Sequence, residues 1–329
     1  MQTPDAANAS NLSMKIVIAG GTGFLGSPLA EVYAEEGHDV RVLTRGLPPG
    51  EARHEPGTGM PGVTRVGWAP DGSESGSAVA TLTALVDDAD AVVNLAGESL
   101  GDKRWTAQRK AQLRDSRIHS TRALVAATRA AARPPRVFVS ASGAGYYGAS
   151  GDEPKTEDSP PGNDFLAQLC EDWETEARRA APVGTRVVLL RTGIVLERSG
   201  GALAKLLPPF RFFVGGPMGS GRQYVSWIHR LDYLEMVRWI IDTPGIDGAV
   251  NATAPHPVTN REFARAVGRA LRRPSFVPAP AFALKILLGE MAQPLILTGQ
   301  RVIPARALSH GYHFRYPEID IAMRGIFGE

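Results

Sequence analysis

An α/β fold, built on a doubly wound parallel sheet and completed by a smaller C-terminal α/β lobe, is what this 329-residue sequence predicts. Three observations carry that reading. Short β-rich runs alternate with amphipathic stretches through the first two-thirds of the chain, the pattern of crossover units laid into one parallel sheet. The run Ala91-Val-Val-Asn-Leu-Ala is apolar almost throughout, as suits a strand covered on both faces. The first strand-like run, from Ile16, enters the glycine turn Gly20-Gly21-Thr22-Gly23-Phe24-Leu25-Gly26, and an amphipathic stretch (Leu25, Leu29, Val32, Tyr33) leaves it.

Taken in order, residues 1–13 are polar and lack the apolar segment of a secretory signal, so they read as a disordered leader, with Met14 an alternative start. Strand, glycine turn and helix follow, then a second strand ending at Thr44 and Arg45. Residues 46–62 and 69–77, rich in Gly, Pro and Ser, read as loops on either side of a strand Val63 to Trp68. Further strands are expected at Ala91 to Gly97, Arg136 to Ser142 and Thr185 to Gly193, with helices near 78–87, 105–132 and 164–181. The second of these helices has to stop before Pro134-Pro135. Residues 14–193 therefore form a Rossmann-type domain, with segments returning to it from 225–255. Short helices and Pro/Gly turns mark 194–329 as the smaller substrate lobe, whose last part, about 276–326, reads as two helices joined by turns.

Composition excludes several classes of function. The net charge is +2, without a basic block, so no nucleic acid or membrane partner is expected. The apolar stretch Phe276 to Leu297 is broken by Pro278, Pro280 and Pro294 and carries Lys285 and Glu290, which disqualifies it as a span. Cys170 is the single cysteine, so no internal disulfide forms; a packed thiol and a cytoplasmic location are expected. His310 and His313 lack convergent ligands, and no metal is expected.

The glycine turn carries the chemistry. Where a helix starts straight after a strand, its unpaired N–H groups and its dipole together attract an anion. Gly20 lets the turn form, Gly23 lets the backbone approach a pyrophosphate, and Gly26 lets helix and strand pack closely. About 20 residues on, where a carboxylate would read an adenosine ribose, stand Thr44 and Arg45. A hydroxyl and a fixed cation suit a 2′-phosphate, so NADP(H) is favoured over NAD(H); the bland alternative is an arginine pointing into solvent.

The motifs Gly20-Gly-Thr-Gly-Phe-Leu-Gly26, Asn94-Leu-Ala-Gly-Glu98, Val139-Ser-Ala-Ser142 before Tyr147-Gly148, Leu190-Arg-Thr-Gly-Ile194, Leu207-Pro-Pro-Phe210, Trp227-Ile-His229 before Asp232 and Gly299-Gln-Arg-Val-Ile-Pro304 spread over nearly the whole chain. On these the chain resembles the extended short-chain dehydrogenases/reductases of the NAD-dependent epimerase/dehydratase family. Within it, the resemblance is to the atypical subgroup labelled "epimerase family protein", which ends in a C-terminal domain of unknown function.

The resemblance implies that Leu95, Ala96 and Gly97 meet the ribose and linking phosphates, and it places Arg191 among the cofactor contacts. Arg117 would bridge to the diphosphate or lie on an exposed helix face; Trp68 would flank the adenine or belong to the core. It also exposes a departure. The family's proton chemistry uses a Tyr-x-x-x-Lys pair, and at those positions this chain has Phe165 and Leu169, with neither an exchangeable proton nor a charge. Ser142 survives, and Tyr146 is the candidate replacement acid, with Tyr147, Asp164, Glu171 and Asp172 nearby. His229 and Asp232 match a motif that fixes the lobe junction. Phe210, Phe212, Phe213, Arg211 and Arg222 lie where such proteins build a substrate pocket. The expected function is an NADP(H)-dependent oxidoreductase, monomeric or homodimeric, acting on a small carbonyl or hydroxyl compound. A non-catalytic NADP(H)-binding sensor or scaffold is the alternative.

Overall fold

Alternation along the first strand decides how the layers stack. In the computed structural model, which describes residues 13–54 and 62–328, Lys15–Ala19 forms β1. Ile16 and Ile18 face one core, with Leu29 and Tyr33 of helix α1 (Gly26–Glu35) and Met236 and Ile240 of α6 (Arg230–Asp242). Val17 and Ala19 face the other, with Leu82 and Val86 of α2 (Ser77–Val86), Leu124 of α3 (Ala107–Ala130) and Ala177 of α4 (Phe165–Arg178). A strand buried on both faces and helices in two outer layers are the doubly wound arrangement.

The remaining main strands are β2 (Asp39–Thr44), β3 (Ala52–His54), β4 (Val63–Gly67), β5 (Ala91–Asn94), β6 (Val137–Gly143), β8 (Arg186–Thr192) and β12 (Gly248–Ala252). They form an eight-stranded sheet in the order β12-β8-β6-β5-β1-β2-β4-β3, parallel except for the β3 edge. The chain runs outward from β1 through β2 in one direction and through β5 in the other. The crevice at the carboxyl ends of β1 and β5 is thus a topological switch point, where ligands of such sheets bind.

The smaller lobe is tied on by short pairings: β7 (Pro154–Lys155) with β14 (Arg301–Val302), β9 (Ile194–Leu196) with β11 (Trp227–His229), and β10 (Tyr224–Val225) with β13 (Val258–Thr259). Its own core joins α5 (Gly201–Arg211), α7 (Asn260–Leu271) and α10 (Ile319–Phe327) around Leu203, Phe263 and Met323. Between α7 and α10 lie α8 (Ala281–Leu288) and α9 (Ala305–Ser309).

Several expectations need correcting. The loop 46–62 contains β3, an edge strand of three residues too short and polar to show a pattern; part of that loop, like the leader expected at 1–13 except its last residue, lies outside the described residues. The strand from Ala91 stops at Asn94 because its side chain accepts the Ala96 N–H, turning the chain out of the sheet. The segment after 276 holds three helices, a 3-10 turn at 289–291 and a π turn at 293–297, since Gly289 at positive φ ends α8.

Candidate functional site

The turn between β1 and α1 has no room for side chains at two positions. Gly20 has φ +78°, and a Cβ there would stand 2.8 Å from the Leu95 carbonyl carbon; at Gly26 it would stand 2.3 Å from the Gly20 oxygen. No side chain caps the start of α1; Ser27 and Leu29 donate to the Gly23 and Leu25 carbonyls and Pro28 has no N–H, so the donors offered to an anion are those of the glycine turn just before it. Thr22 and Gly23 are exposed at the tip, and Gly21 rests on Val42. Phe24 is half-buried, its ring against Gly200 and Gly201 at the start of α5, so the turn touches the smaller lobe. Leu25 packs into the first core.

At the end of β2, Thr44 is buried and its hydroxyl accepts the Gly46 N–H at 3.1 Å. The Arg45 side chain is 76% exposed, and its guanidinium stands 3.6 Å from a Glu98 carboxylate oxygen. Glu98 is also held by Arg109 at 2.5 Å, which keeps its carboxyl below the usual range. Trp68 is buried in the second core, so its ring is structural first; Ala96 packs on that same cluster.

Arg117 is not an exposed helix-face residue. It is buried on α3, beside Gly97, and donates to the carbonyls of Leu113 at 2.9 Å and Glu98 at 3.0 Å. Burial lowers it to about 10, and no carboxylate pairs with it. A buried cation held by two carbonyls and lying over the Trp173 ring, with no carboxylate of its own, suits an incoming diphosphate. The glycine turn, the helix start behind it and the guanidiniums of Arg45 and Arg117 together suit a phosphorylated dinucleotide.

Farther along the same sheet edge the polar groups turn on one another. Ser142, at the end of β6, donates to Glu174 Oε1 at 2.8 Å. Glu174 sits on the inner face of α4, fully buried, and takes Arg191 Nε at 2.7 Å on one oxygen and Nη2 at 2.9 Å on the other. The Arg191 Nη1 donates to the Tyr147 hydroxyl and to the Glu157 carbonyl, both at 3.0 Å. The Tyr147 hydroxyl in turn donates to Asn251 Oδ1 at 2.6 Å. Burial opposes the Arg191 charge, yet the bonds and charge of Glu174 outweigh it and hold the guanidinium well above its usual value. At 2% exposure and with donors committed inside the protein, Arg191 does not fit the cofactor contact expected of it.

Tyr146 differs from its neighbour. Its half-buried ring lies 3.4 Å beneath the Arg191 guanidinium and edge-on to Tyr147. Phe165 packs edge-on to Trp105, and Leu169 is buried with Leu113, Leu166 and Met291, so an apolar cluster stands where a proton relay was sought. The acids beside them are spoken for: Asp164 caps α4 at 2.9 Å, and Asp172 pairs with Arg114 at 3.0 Å, while Glu171 is exposed.

The network's key members, Glu174, Glu157 and Asn251, were missed by sequence reasoning. One signal existed: Glu174 falls in the apolar stripe Leu166, Cys170, Trp173, Ala177, where an acid needs a buried partner. His229 caps α6 at 3.1 Å and stacks on Tyr316, and Asp232 accepts the N–H groups of Arg315 and Tyr316, so both fasten the lobe junction. Among the described residues no group of His, Cys, Asp and Glu is arranged to hold a metal, and no helix is long and apolar enough to cross a membrane.

Residues 16–252 match the NAD dependent epimerase/dehydratase family, and residues 279–326 match a domain of unknown function. An epimerase family protein of Mycobacterium leprae is 39% identical over 308 residues, covering 94% of each chain. A chloroplastic homologue from Arabidopsis thaliana is 40% identical over 316 residues, 95% of this chain and 86% of that protein. The crystal structure of human epimerase family protein SDR39U1 with NADPH superposes with a TM-score of 0.81 at 34% identity, over 96% of this chain and all of that one. The chain belongs to the NAD dependent epimerase/dehydratase family.

Proposed function

We propose that this epimerase-family chain is an NADP(H)-dependent oxidoreductase acting on a small carbonyl or hydroxyl compound. One observation supports it above the rest: an uncapped helix over the glycine turn, with Arg45 exposed at the end of the neighbouring strand. The human relative was crystallised with NADPH, and Arg45 offers the fixed cation that a 2′-phosphate selects. The turn Gly20 to Leu25 and Arg117 would hold the diphosphate, Leu95 to Gly97 the riboses, and Thr44 with Arg45 the 2′-phosphate. Trp68 would back the adenine from the core. The bound cofactor supplies the hydride.

What remains for the chain is to orient the substrate and deliver a proton. Phe165 and Leu169 do neither. We assign proton delivery to the Tyr146 phenol, whose ring is fixed by Arg191. Ser142, its own proton engaged by Glu174, presents lone pairs and acts as an orienting acceptor. Arg191 is then a positioning residue for the tyrosines.

The test joins binding to turnover. The purified chain is titrated with NADPH and NADH, then assayed for NADPH oxidation across a broad panel of carbonyl compounds. Tighter NADPH binding is expected, with oxidation by some member of the panel. Tyr146→Phe should lower kcat by about 10²–10⁴-fold without changing NADPH affinity. NADPH that binds but is never oxidised by any compound would leave only a cofactor-binding protein.

A further inference from the structure

The smaller lobe carries a face that nothing in the cofactor half explains. Helix α8 is apolar yet has no buried residue: Phe282 is 69% exposed and Ile286 71%, one turn apart, with Leu287 beside them. Phe212, Phe213 and Val214, just past α5, are exposed too, as is Phe276. These two stretches are tied together at the backbone. The Val277 N–H donates to Gly215 O at 3.1 Å, Ala279 to Pro217 O at 2.9 Å, and Gly219 to Ala279 O at 2.9 Å, and α8 follows at once from Pro280. Phe213 holds φ +64°, a left-handed backbone that costs a non-glycine residue and presents its ring to solvent.

Charge identifies what this face meets. No aspartate or glutamate occurs between Glu197 and Asp232, nor between Glu262 and Glu290, whereas Arg211, Arg273 and Lys285 lie in or beside these stretches of the chain. Arg273 lies 4.5 Å from the Phe213 ring centroid. Glu290, just past α8, is paired with Lys110, and Arg104 donates to the Ile286 and Leu287 carbonyls at the end of α8. Aromatic and aliphatic side chains ringed by cations suit a surface that is apolar beneath and negative above. A second copy docked by the same face would bring its cations toward each other.

We infer that the face formed by Phe212–Val214, Phe276 and α8 docks on an anionic phospholipid bilayer. The small net charge of the chain and the broken apolar stretch argue against nucleic acid and against a span, but neither describes a local patch. The inference stands apart from the proposed oxidoreductase activity.

The experiment sediments the full chain with phosphatidylglycerol-containing vesicles and with phosphatidylcholine vesicles. Binding to the anionic vesicles is expected, weakened by salt and at least about tenfold weaker on neutral ones. Phe282→Ser/Ile286→Ser should release the chain from vesicles, and Arg273→Glu/Lys285→Glu should do the same, while melting temperature and NADPH affinity stay as in the parent. No binding to anionic vesicles at low salt, or binding indifferent to both double substitutions, overturns the inference. So does a dimer that forms without lipid and is broken by Phe282→Ser/Ile286→Ser, because the face would then be a self-interface.

Discussion

One edge of one sheet treats polar groups in two opposite ways. Beyond β1, β2 and β5, the glycine turn offers backbone donors, Arg45 is exposed with only Glu98 at 3.6 Å, and Arg117 is buried without a carboxylate partner. Beyond β6, β8 and β12, Ser142, Glu174, Arg191, Tyr147 and Asn251 bond one to the next in the interior, and Arg178 reaches Glu174 from the surface at 3.0 Å. An unsaturated site is built for a ligand with complementary charge, whereas a saturated one fixes geometry. On the proposed reading, cofactor recognition and shape-holding are separated along the sheet, and Tyr146, half-buried under Arg191, is the tyrosine of the second region with no hydroxyl bond to the network.

The largest effect should come from cutting the second region. Glu174→Ala strands the Arg191 guanidinium in the interior, and breaking a buried pair from one side typically costs about 3–5 kcal/mol. Denaturant unfolding measures it. A loss under about 1 kcal/mol would mean that water reaches Arg191 and that the contrast between the regions is false. Replacing both partners with apolar residues of similar volume should recover most of the loss.

The open region should answer differently. Arg45→Asp is expected to weaken NADPH relative to NADH by about 1–3 kcal/mol while leaving unfolding unchanged, because the exposed guanidinium is poised for a ligand rather than for the fold. Calorimetric titration with both cofactors reads the ratio. An unmoved preference would place the 2′-phosphate elsewhere.

The lobe junction offers a third comparison. Burial lowers His229 to about 4 from 6.5. Above pH 6.5 it is neutral in both states and has no effect on stability. Between pH 6.5 and 4 the unfolded chain takes up the proton first, so stability falls with pH, by about 1.4 kcal/mol at pH 5.5 from this residue. His229→Asn should flatten that slope in thermal melts across the window. An equal slope in both proteins would assign the acid sensitivity to other groups.

The open region was legible in the sequence because its parts are local. Gly20, Gly23 and Gly26 are set by one tight turn, and Arg45 follows its strand directly, so spacing alone places them. The second region was hidden because its members come from five elements and their pairing is a property of packing. Glu174 and Arg191 stand 17 residues apart, and Tyr147 reaches Asn251 across 104. Arg191 accordingly looked like a cofactor contact: a conspicuous motif says that a residue is used without saying which way it points. Arg117 shows the same limit, since helical spacing does not reveal that Gly97 opens a slot for a buried side chain. The short edge strand β3 and the turns after α8 carry too few residues to set a period.

Cys170 gives the smallest effect and reports on the boundary between the two regions. Its thiol is buried on α4, donates to Gly143 O at 3.6 Å, and is pushed up to about 11 by burial and by the Glu174 charge. Against an ordinary value of 9.0, that leaves about 100-fold less thiolate at neutral pH, before access is considered. A maleimide should therefore label the native protein slowly, at the rate at which the network opens. Glu174→Ala removes the neighbouring charge and loosens the packing, so labelling should speed up. Arg45→Asp should leave it unchanged, since nothing in the second region touches that guanidinium. Equal acceleration in both variants would mean that the two halves of the sheet edge move as one body, and that a ligand gripped by the first would be felt directly at Ser142 and Tyr146.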